Sequence, residues 1–183
     1  MVWIARHAES TWNAEGRWQG QANPPLSPRG ERQAEALAER LLRCRIHTLI
    51  SSDLARAAQT AHIAGLRLGL APRFEPRLRE RDVGTWGGLT RAEIERRFAQ
   101  ELARLRAGDR ELRPGGGESA RELETRVRAA FAEIAAETNA AGVAVITHLG
   151  VIRVFEPRAQ VEPAGLWTPG TGEGAPGEPE TLL

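Results

Sequence analysis

Two histidines in this sequence stand where they could act on a phosphate ester, His7 as a nucleophile and His148 as a ligand of a phosphate oxygen. His7 follows the apolar run Val2–Ala5 and lies beside Arg6, and His148 follows the apolar run Val143–Thr147. A neutral imidazole attacks phosphorus through one ring nitrogen when a hydrogen bond keeps the other nitrogen protonated. The planar guanidinium of arginine binds phosphate oxygens in a bidentate manner. Together these residue types indicate nucleophilic catalysis at a phosphate group.

Arg56 is a further candidate phosphate ligand, because it lies in the first turns of a predicted helix that follows a strand. An exposed cation near a helix N-terminus opposes the helix dipole by about 0.3–1 kcal/mol. A bound anion would reverse that penalty, and the free backbone N–H groups of the first turn also bind phosphate. We therefore expect Arg56 to share a phosphate site with His7 and His148.

The elements that would position these residues alternate between strands and helices. Short apolar runs predict strands, and apolar residues at helical spacing predict helices. Because strands and helices alternate, we expect an α/β fold with three α/β/α layers and a mostly parallel central sheet. The predicted strands cover 2–5, 46–51, 73–75 and 143–147, and the predicted helices cover 28–43, a segment capped by Ser52 or Asp53, 90–107 and 118–138.

The candidate residues fall at strand ends. Ligands of open parallel sheets bind at the carboxyl ends of the strands. Three predicted strands end at Arg6-His7, Ser51-Ser52 and Thr147-His148. We therefore expect these dipeptides to meet at one edge of the sheet.

The composition and periodicity of the sequence change after Phe155. Residues 156–183 contain prolines at 157, 163, 169, 176 and 179 with glycines between them, and no helical or alternating period persists. We predict a domain over 1–155 and an irregular C-terminal tail over 156–183. The C-terminal elements that would close the fold are expected to be atypical or missing.

Composition excludes several classes of protein. The 183 residues are 41% hydrophobic and 27% charged, with a net charge of +1, so nothing indicates a nucleic-acid binder. All 25 basic residues are arginine, which rules out a lysine Schiff base. Cys44 is the only cysteine, so no intrachain disulfide forms. Because neither a leader nor a bilayer-spanning run is evident, we expect a cytoplasmic protein without membrane partners.

Several ordered motifs resemble the histidine phosphatase superfamily, the phosphoglycerate mutase-like family. Residues 6–10 resemble its Arg-His-Gly-Glu-Ser/Thr signature, and residues 51–61 resemble its second arginine segment closely. The resemblance extends over about residues 1–153. The remaining matching segments are 18–21, 26–30, 78–90, 114–119 and 145–153.

The resemblance implies a role for each matching residue. His7 would form a phosphohistidine, and Glu80 would protonate the leaving alcohol and then activate water. The implied chemistry needs neither a metal nor another cofactor, because a cationic pocket stabilises the charge. The remaining implied site residues are Arg6, Arg56 and His148 in the phosphate pocket, with Asn13, Gln19, Gly20 and Leu149 as further phosphate contacts.

Departures from the family pattern leave alternatives open. Ala8 and Leu149 each replace a glycine, and Leu149 is bulky enough to crowd the phosphate. We expect a phosphatase of small organic phosphates, since the mutase branch carries a longer insertion with a lysine. Arg81, however, resembles the mutase pattern. The alternatives are a cofactor-dependent phosphoglycerate mutase and a catalytically weak protein that binds phosphorylated ligands; either a monomer or a homodimer is compatible.

Three tryptophans are candidates for contact with the organic part of a substrate. Trp12, Trp18 and Trp86 either form an apolar wall for an organic phosphate or pack in the core.

Overall fold

A five-stranded sheet forms the centre of the molecule. The computed structural model describes residues 1–138 and 142–168. The strand order is β3-β2-β4-β1-β5, with β1, β2, β3 and β4 parallel and β5 antiparallel to β1. The strands are β1 (Val2–Arg6), β2 (Thr48–Ser51), β3 (Arg73–Phe74), β4 (Val143–Thr147) and β5 (Leu166–Trp167).

The register of the three central strands brings their carboxyl ends together. Arg6 pairs with Thr147, and Ser51 pairs with Ile146. Each ladder continues one residue further: the His7 N–H donates to the Thr147 carbonyl at 2.8 Å, and the Ser52 N–H donates to the Ile146 carbonyl at 3.0 Å. The predicted meeting of these strand ends at one edge of the sheet is confirmed.

Helices cover both faces of the sheet, which confirms the predicted three-layer α/β/α fold. Side chains of β4 alternate between the two layers, as expected for a strand buried on both sides. Ala144 and Ile146 pack in the cluster formed with α2 and α3, while Val143 and Val145 pack against α6. The helices are α1 (Thr11–Ala14), α2 (Pro28–Leu42), α3 (Ala55–Leu68), α4 (Arg91–Arg97), α5 (Ala99–Arg106), α6 (Ala120–Thr138) and α7 (Leu149–Phe155).

The predicted single helix over 90–107 is wrong, because it is interrupted at Phe98. Phe98 leaves the helical region at φ −134° and separates α4 from α5. Its ring centroid lies 6.0 Å from that of Trp86, in a separate apolar cluster with Ile94 and Leu102. The break lets both short helices pack on the fully buried Trp86.

The predicted cap of α3 is also wrong. Leu54 is the N-cap residue and offers no side-chain hydrogen bond. Asp53 instead forms an ion pair with Arg79, and the Ser52 hydroxyl lies 2.9 Å from His148 Nε2. The side chains best suited to capping α3 are therefore engaged in contacts near the strand ends.

The expectation of a tail without closing strands is wrong at β5, which pairs with Ile4 and Ala5 of β1. Two residues are too few to show an alternating period, which explains why the sequence did not reveal this strand. Trp167 is 6% exposed and packs in a cluster with Ile4 and Ile152. Residues 169–183 of the predicted tail lie outside the described part of the chain, and the division at 155 remains a prediction.

Within 1–138 and 142–168, none of the helices combines the length and the apolar character needed to cross a bilayer.

Replacing Trp167 should show that residues 156–168 belong to the folded core. We expect Trp167→Ala to lower the free energy of unfolding by about 3–5 kcal/mol, because a large buried ring is lost. Leu66→Ala, at a side chain that is 86% exposed, serves as the control and should change stability little. Urea denaturation followed by circular dichroism measures both. An unchanged midpoint for Trp167→Ala would show that this segment contributes nothing to stability.

Candidate active site

His7 is held in a defined tautomer at the end of β1. Its Nδ1 lies 2.7 Å from the carbonyl oxygen of Ala8, and its Nε2 lies 3.3 Å from the Nε–H of Arg56. A carbonyl can only accept and a guanidinium can only donate. Nδ1 therefore carries the proton, and Nε2 presents its lone pair. The imidazole is 3% exposed, so that lone pair lies in a nearly dry site.

Arg56, the second residue of α3, is 1% exposed and is held by backbone carbonyls. Its Nη1 donates to Ala22 at 2.9 Å and its Nη2 donates to Gly20 at 2.8 Å. Burial lowers the pKa of Arg56 to about 10, and the Glu80 carboxylate opposes that lowering. Arg56 therefore remains a cation near neutral pH, with its Nε aimed at His7.

Arg6 contributes a second guanidinium to the cavity that His7 and Arg56 line. Its Nη1 donates to the carbonyl of Val161 at 2.8 Å, while its buried Nε has no hydrogen-bond partner among the described residues. Burial lowers the pKa of Arg6, and the nearby Glu80 and Glu162 carboxylates oppose that lowering. Residues 159–165, which follow α7, thus help to fix a cation of the site.

His148 is fully buried at the end of β4. Its Nε2 lies 2.9 Å from the Ser52 hydroxyl, and its Nδ1 has no hydrogen-bond partner in the part of the chain that the structure describes. The two imidazole centroids of His7 and His148 are 5.0 Å apart. A buried polar atom without a partner is uncommon in folded proteins, and this Nδ1 is therefore a candidate contact for a bound ligand.

Burial and positive charge keep both imidazoles neutral. Desolvation lowers the pKa of His7 well below its ordinary value, and Arg56 and Arg6 lower it further, while the hydrogen bond to Ala8 opposes them. Desolvation likewise lowers the pKa of His148, with Arg56 and His7 acting in the same direction. At neutral pH His7 is therefore unprotonated at Nε2 and competent as a nucleophile.

Glu80 belongs to the loop after β3, and two backbone amides hold its carboxylate. Its Oε1 accepts from the Arg81 N–H at 2.7 Å and its Oε2 accepts from the Gly150 N–H at 3.1 Å. A Cβ at Gly150 would lie 2.0 Å from Glu80 Oε1, so any larger residue there would displace the carboxylate. Glycine at the start of α7 thus lets the Glu80 carboxylate reach the cavity that His7 and Arg56 line.

The loop after β1 directs two side-chain amides to the same cavity. The Ser10 N–H donates to Asn13 Oδ1 at 3.0 Å, and the Ser10 hydroxyl donates to Gln19 Oε1 at 2.8 Å. With their oxygens engaged, both side chains offer amide nitrogens as donors. Gly20 has φ +51° and would meet Val83 if it carried a Cβ, so glycine is required there. Its contribution to the site is the carbonyl that holds Arg56.

These groups line a cavity of about 1030 Å³. Leu149 lines it at the first turn of α7, and Trp18 lines it from the opposite loop. Trp86 is fully buried and Trp12 contacts Gly88, so the three tryptophans do not form one wall. Among residues 1–138 and 142–168, no three His, Cys, Asp or Glu side chains group together as a metal site requires.

The structure thus brings most of the predicted site residues together at one cavity. The residues that line it are His7, Arg6, Arg56, Glu80, Asn13, Gln19, Gly20 and Leu149. His148 is fully buried, with its ring centroid 5.0 Å from that of His7. Sequence reasoning missed Gly150 and Ser52 as residues that hold Glu80 and His148. Both lie within segments already matched to the motifs, so their proximity to the predicted strand ends was an available signal.

The comparison with family models decides the classification. The model of the histidine phosphatase superfamily (branch 1) matches residues 2–170. The chain belongs to this superfamily. The resemblance of its motifs is thereby confirmed.

Curated relatives and solved structures agree with that assignment. A protein named probable phosphoglycerate mutase GpmB from Salmonella choleraesuis (strain SC-B67) is 41% identical over 134 residues, which are 72% of this chain and 61% of that protein. The chain thus spans less than two thirds of the length of the curated relatives it matches.

Two solved phosphatases share the fold. A mycobacterial glucosyl-3-phosphoglycerate phosphatase in complex with VO3 is 32% identical, with a TM-score of 0.81 and 90% of each chain covered. The alpha-ribazole phosphatase from Shigella flexneri is 25% identical, with a TM-score of 0.77 and 89% of this chain and 81% of that chain covered.

The buried histidines should make stability depend on pH. The lowered pKa values of His7 and His148 mean that only the unfolded chain takes up their protons just below pH about 6.5. The free energy of unfolding should therefore fall as pH decreases from 7 to 5.5, by up to about 1.4 kcal/mol per pH unit for each histidine. Denaturation in phosphate-free buffer measures this.

His148→Gln, which removes one of the two groups, should show about half of that slope. A wild-type stability that stays constant over this interval would contradict the neutral, buried state of both rings.

Proposed function

We propose that this chain is a metal-independent phosphatase that hydrolyses small organic phosphate monoesters through a phosphohistidine on His7. The proposal rests on the tautomer and the surroundings of the His7 imidazole. Nδ1 carries the proton and donates a hydrogen bond to the Ala8 carbonyl, and the Nε2 lone pair is buried beside the Arg56 guanidinium. A nucleophile held in the reactive tautomer next to a fixed cation suits attack on a phosphate dianion.

The phosphate would bind among groups that lack full partners. The buried Arg6 Nε and His148 Nδ1 have no hydrogen-bond partner in the described residues, and a phosphate oxygen would give each of them one. The Nε–H of Arg56 would turn from His7 to a phosphate oxygen and so release the Nε2 lone pair. Asn13 would add its amide nitrogen from the cavity wall.

In the first chemical step, Nε2 of His7 attacks phosphorus and the ester P–O bond breaks. Glu80 gives its proton to the departing oxygen, so that an alcohol leaves. In the second step Glu80 takes a proton from water, whose oxygen attacks phosphorus while the N–P bond breaks. Inorganic phosphate leaves and Glu80 is again protonated. Two displacements predict retention of configuration at phosphorus.

The second candidate is a phosphoglycerate mutase, which the name of the curated relatives favours. A mutase returns the phosphoryl group from His7 to an organic hydroxyl, whereas a phosphatase passes it to water. The phosphatase names of the solved structures support hydrolysis. Phosphorus NMR of a phosphoglycerate solution separates the two, because isomerisation conserves organic phosphate and hydrolysis releases inorganic phosphate.

Hydrolysis of p-nitrophenyl phosphate in excess chelator tests the proposal. We expect turnover by the wild type and a loss of about 10³-fold or more in His7→Ala, the scale on which removal of a nucleophile acts. His62→Ala, at an exposed histidine on α3, is the matched control and should retain wild-type activity. Activity that survives in His7→Ala, or that disappears with chelator, would overturn the mechanism. A folded wild type without turnover would favour a phospho-ligand-binding protein.

A further inference from the structure

The loop that carries Glu80 is fixed through its backbone carbonyls. Thr147 Oγ1 donates to the Leu78 carbonyl at 2.8 Å, and Gln21 Nε2 donates to the Glu80 carbonyl at 3.2 Å. The remaining ties come from Arg126 on α6. Its guanidinium donates to the carbonyls of residues 77, 79 and 80, so together with Thr147 and Gln21 it fixes the backbone of residues 77–80.

All five donors of the Arg126 guanidinium are engaged. Nη1 donates to Arg77 and Arg79 at 2.7 Å each, and Nη2 donates to Glu80 at 2.9 Å. The other two donors form a bidentate pair with Glu118: Nε to Oε1 at 2.6 Å and Nη2 to Oε2 at 2.8 Å. The two side chains are only 19% and 14% exposed. Arginine has five N–H donors in a fixed plane, and here each one has an acceptor.

We propose that Arg126 is a positioning residue for proton transfer by Glu80, an inference that rests on the proposed phosphatase function. Arg126 holds the backbone end of Glu80, while the N–H groups of Arg81 and Gly150 hold its carboxylate end. With no donor left over, Arg126 has none to offer the substrate. It therefore affects the reaction only by setting the position of the Glu80 carboxylate.

A lysine at position 126 cannot form the same set of hydrogen bonds. An ammonium group has three donors on one atom, whereas the carbonyls of the loop and the Glu118 carboxylate accept from three separate nitrogens of the planar guanidinium. Lysine would keep the positive charge, which also helps to lower the pKa of His148. Arg126→Lys therefore separates the loss of the hydrogen-bond geometry from the loss of charge.

The dependence of activity on the leaving group gives a direct test. Release of p-nitrophenolate needs no proton, because the anion is stable, whereas release of an alkoxide does. The ratio kcat/KM covers only the steps through phosphohistidine formation, so it reports the acid role of Glu80 and not the later activation of water. We therefore compare kcat/KM for p-nitrophenyl phosphate and for β-glycerophosphate.

In both Arg126→Gln and Arg126→Lys, kcat/KM for β-glycerophosphate should fall about 10–100-fold, within the range that a misplaced general acid costs. The value for p-nitrophenyl phosphate should change by less than about threefold, since its leaving group needs no acid. In the Glu80→Gln background, adding Arg126→Gln should produce no further loss on β-glycerophosphate, because residues that act through one group are not additive. Arg121→Gln, at an exposed arginine of the same helix, is the control and should leave both substrates unaffected.

An equal fall on both substrates, or a loss that adds fully to that of Glu80→Gln, would overturn the inference and assign Arg126 to stability alone. If circular dichroism shows that the Arg126 variants are unfolded, Glu118→Gln supplies the test. It weakens the bidentate pair and should lower the β-glycerophosphate value selectively. A wild type that hydrolyses neither substrate overturns the proposed function and this inference together. A wild type that hydrolyses both, with an unchanged ratio in the variants, overturns only the inference.

Discussion

Placing an imidazole and two guanidinium groups in one nearly dry site is the constraint on which the rest of the structure depends. Buried cations are costly unless hydrogen bonds replace their water. Backbone carbonyls supply those bonds here: Gly20 and Ala22 for Arg56, and Val161 for Arg6. The carbonyl of Ala8 then fixes the tautomer of His7. Neutral acceptors hold the cations without cancelling their charge, so the field at His7 remains positive.

The need for carbonyl acceptors around the buried cations explains several features of the fold. The loop after β1 folds back through Ser10 so that its carbonyls reach Arg56. Residues after α7 return to β1, which closes one sheet edge with β5 and brings Val161 to Arg6. The loop that carries Glu80 brings a carboxylate to the border of the cationic pocket, where Arg126 and Gly150 hold it. The fold thus assembles carbonyl acceptors around the cations and places the Glu80 carboxylate beside them.

The sequence predicts the centre of the molecule better than its periphery. The apolar strand 143–147 indicates the layered α/β fold. The polar strand ends predict that Arg6, His7 and His148 meet, because parallel strands leave little freedom in placing their carboxyl ends. The Leu166–Trp167 strand was not predictable, since two residues have no period and only pairing with β1 defines them.

Other features depend on contacts between distant parts of the chain. Local propensity predicts the wrong cap for α3, because Ser52 and Asp53 have partners near the strand ends that propensity does not include. Arg126 lies 46 residues from Glu80 and resembles many other arginines on helix surfaces. Its role depends on the tertiary structure alone.

The proposed mechanism requires covalent transfer of the phosphoryl group to Nε2 of His7. The most direct test incubates Glu80→Gln with p-nitrophenyl phosphate, stops the reaction in alkali, and maps phosphate by mass spectrometry, because phosphohistidine survives base and is lost in acid. This substrate needs no acid to leave, whereas release of phosphate to water needs Glu80 as a base. We expect phosphohistidine to accumulate at His7 and to be absent from the His7→Ala, Glu80→Gln double variant. Release of p-nitrophenol without modification of His7, or phosphate on another residue, would contradict it.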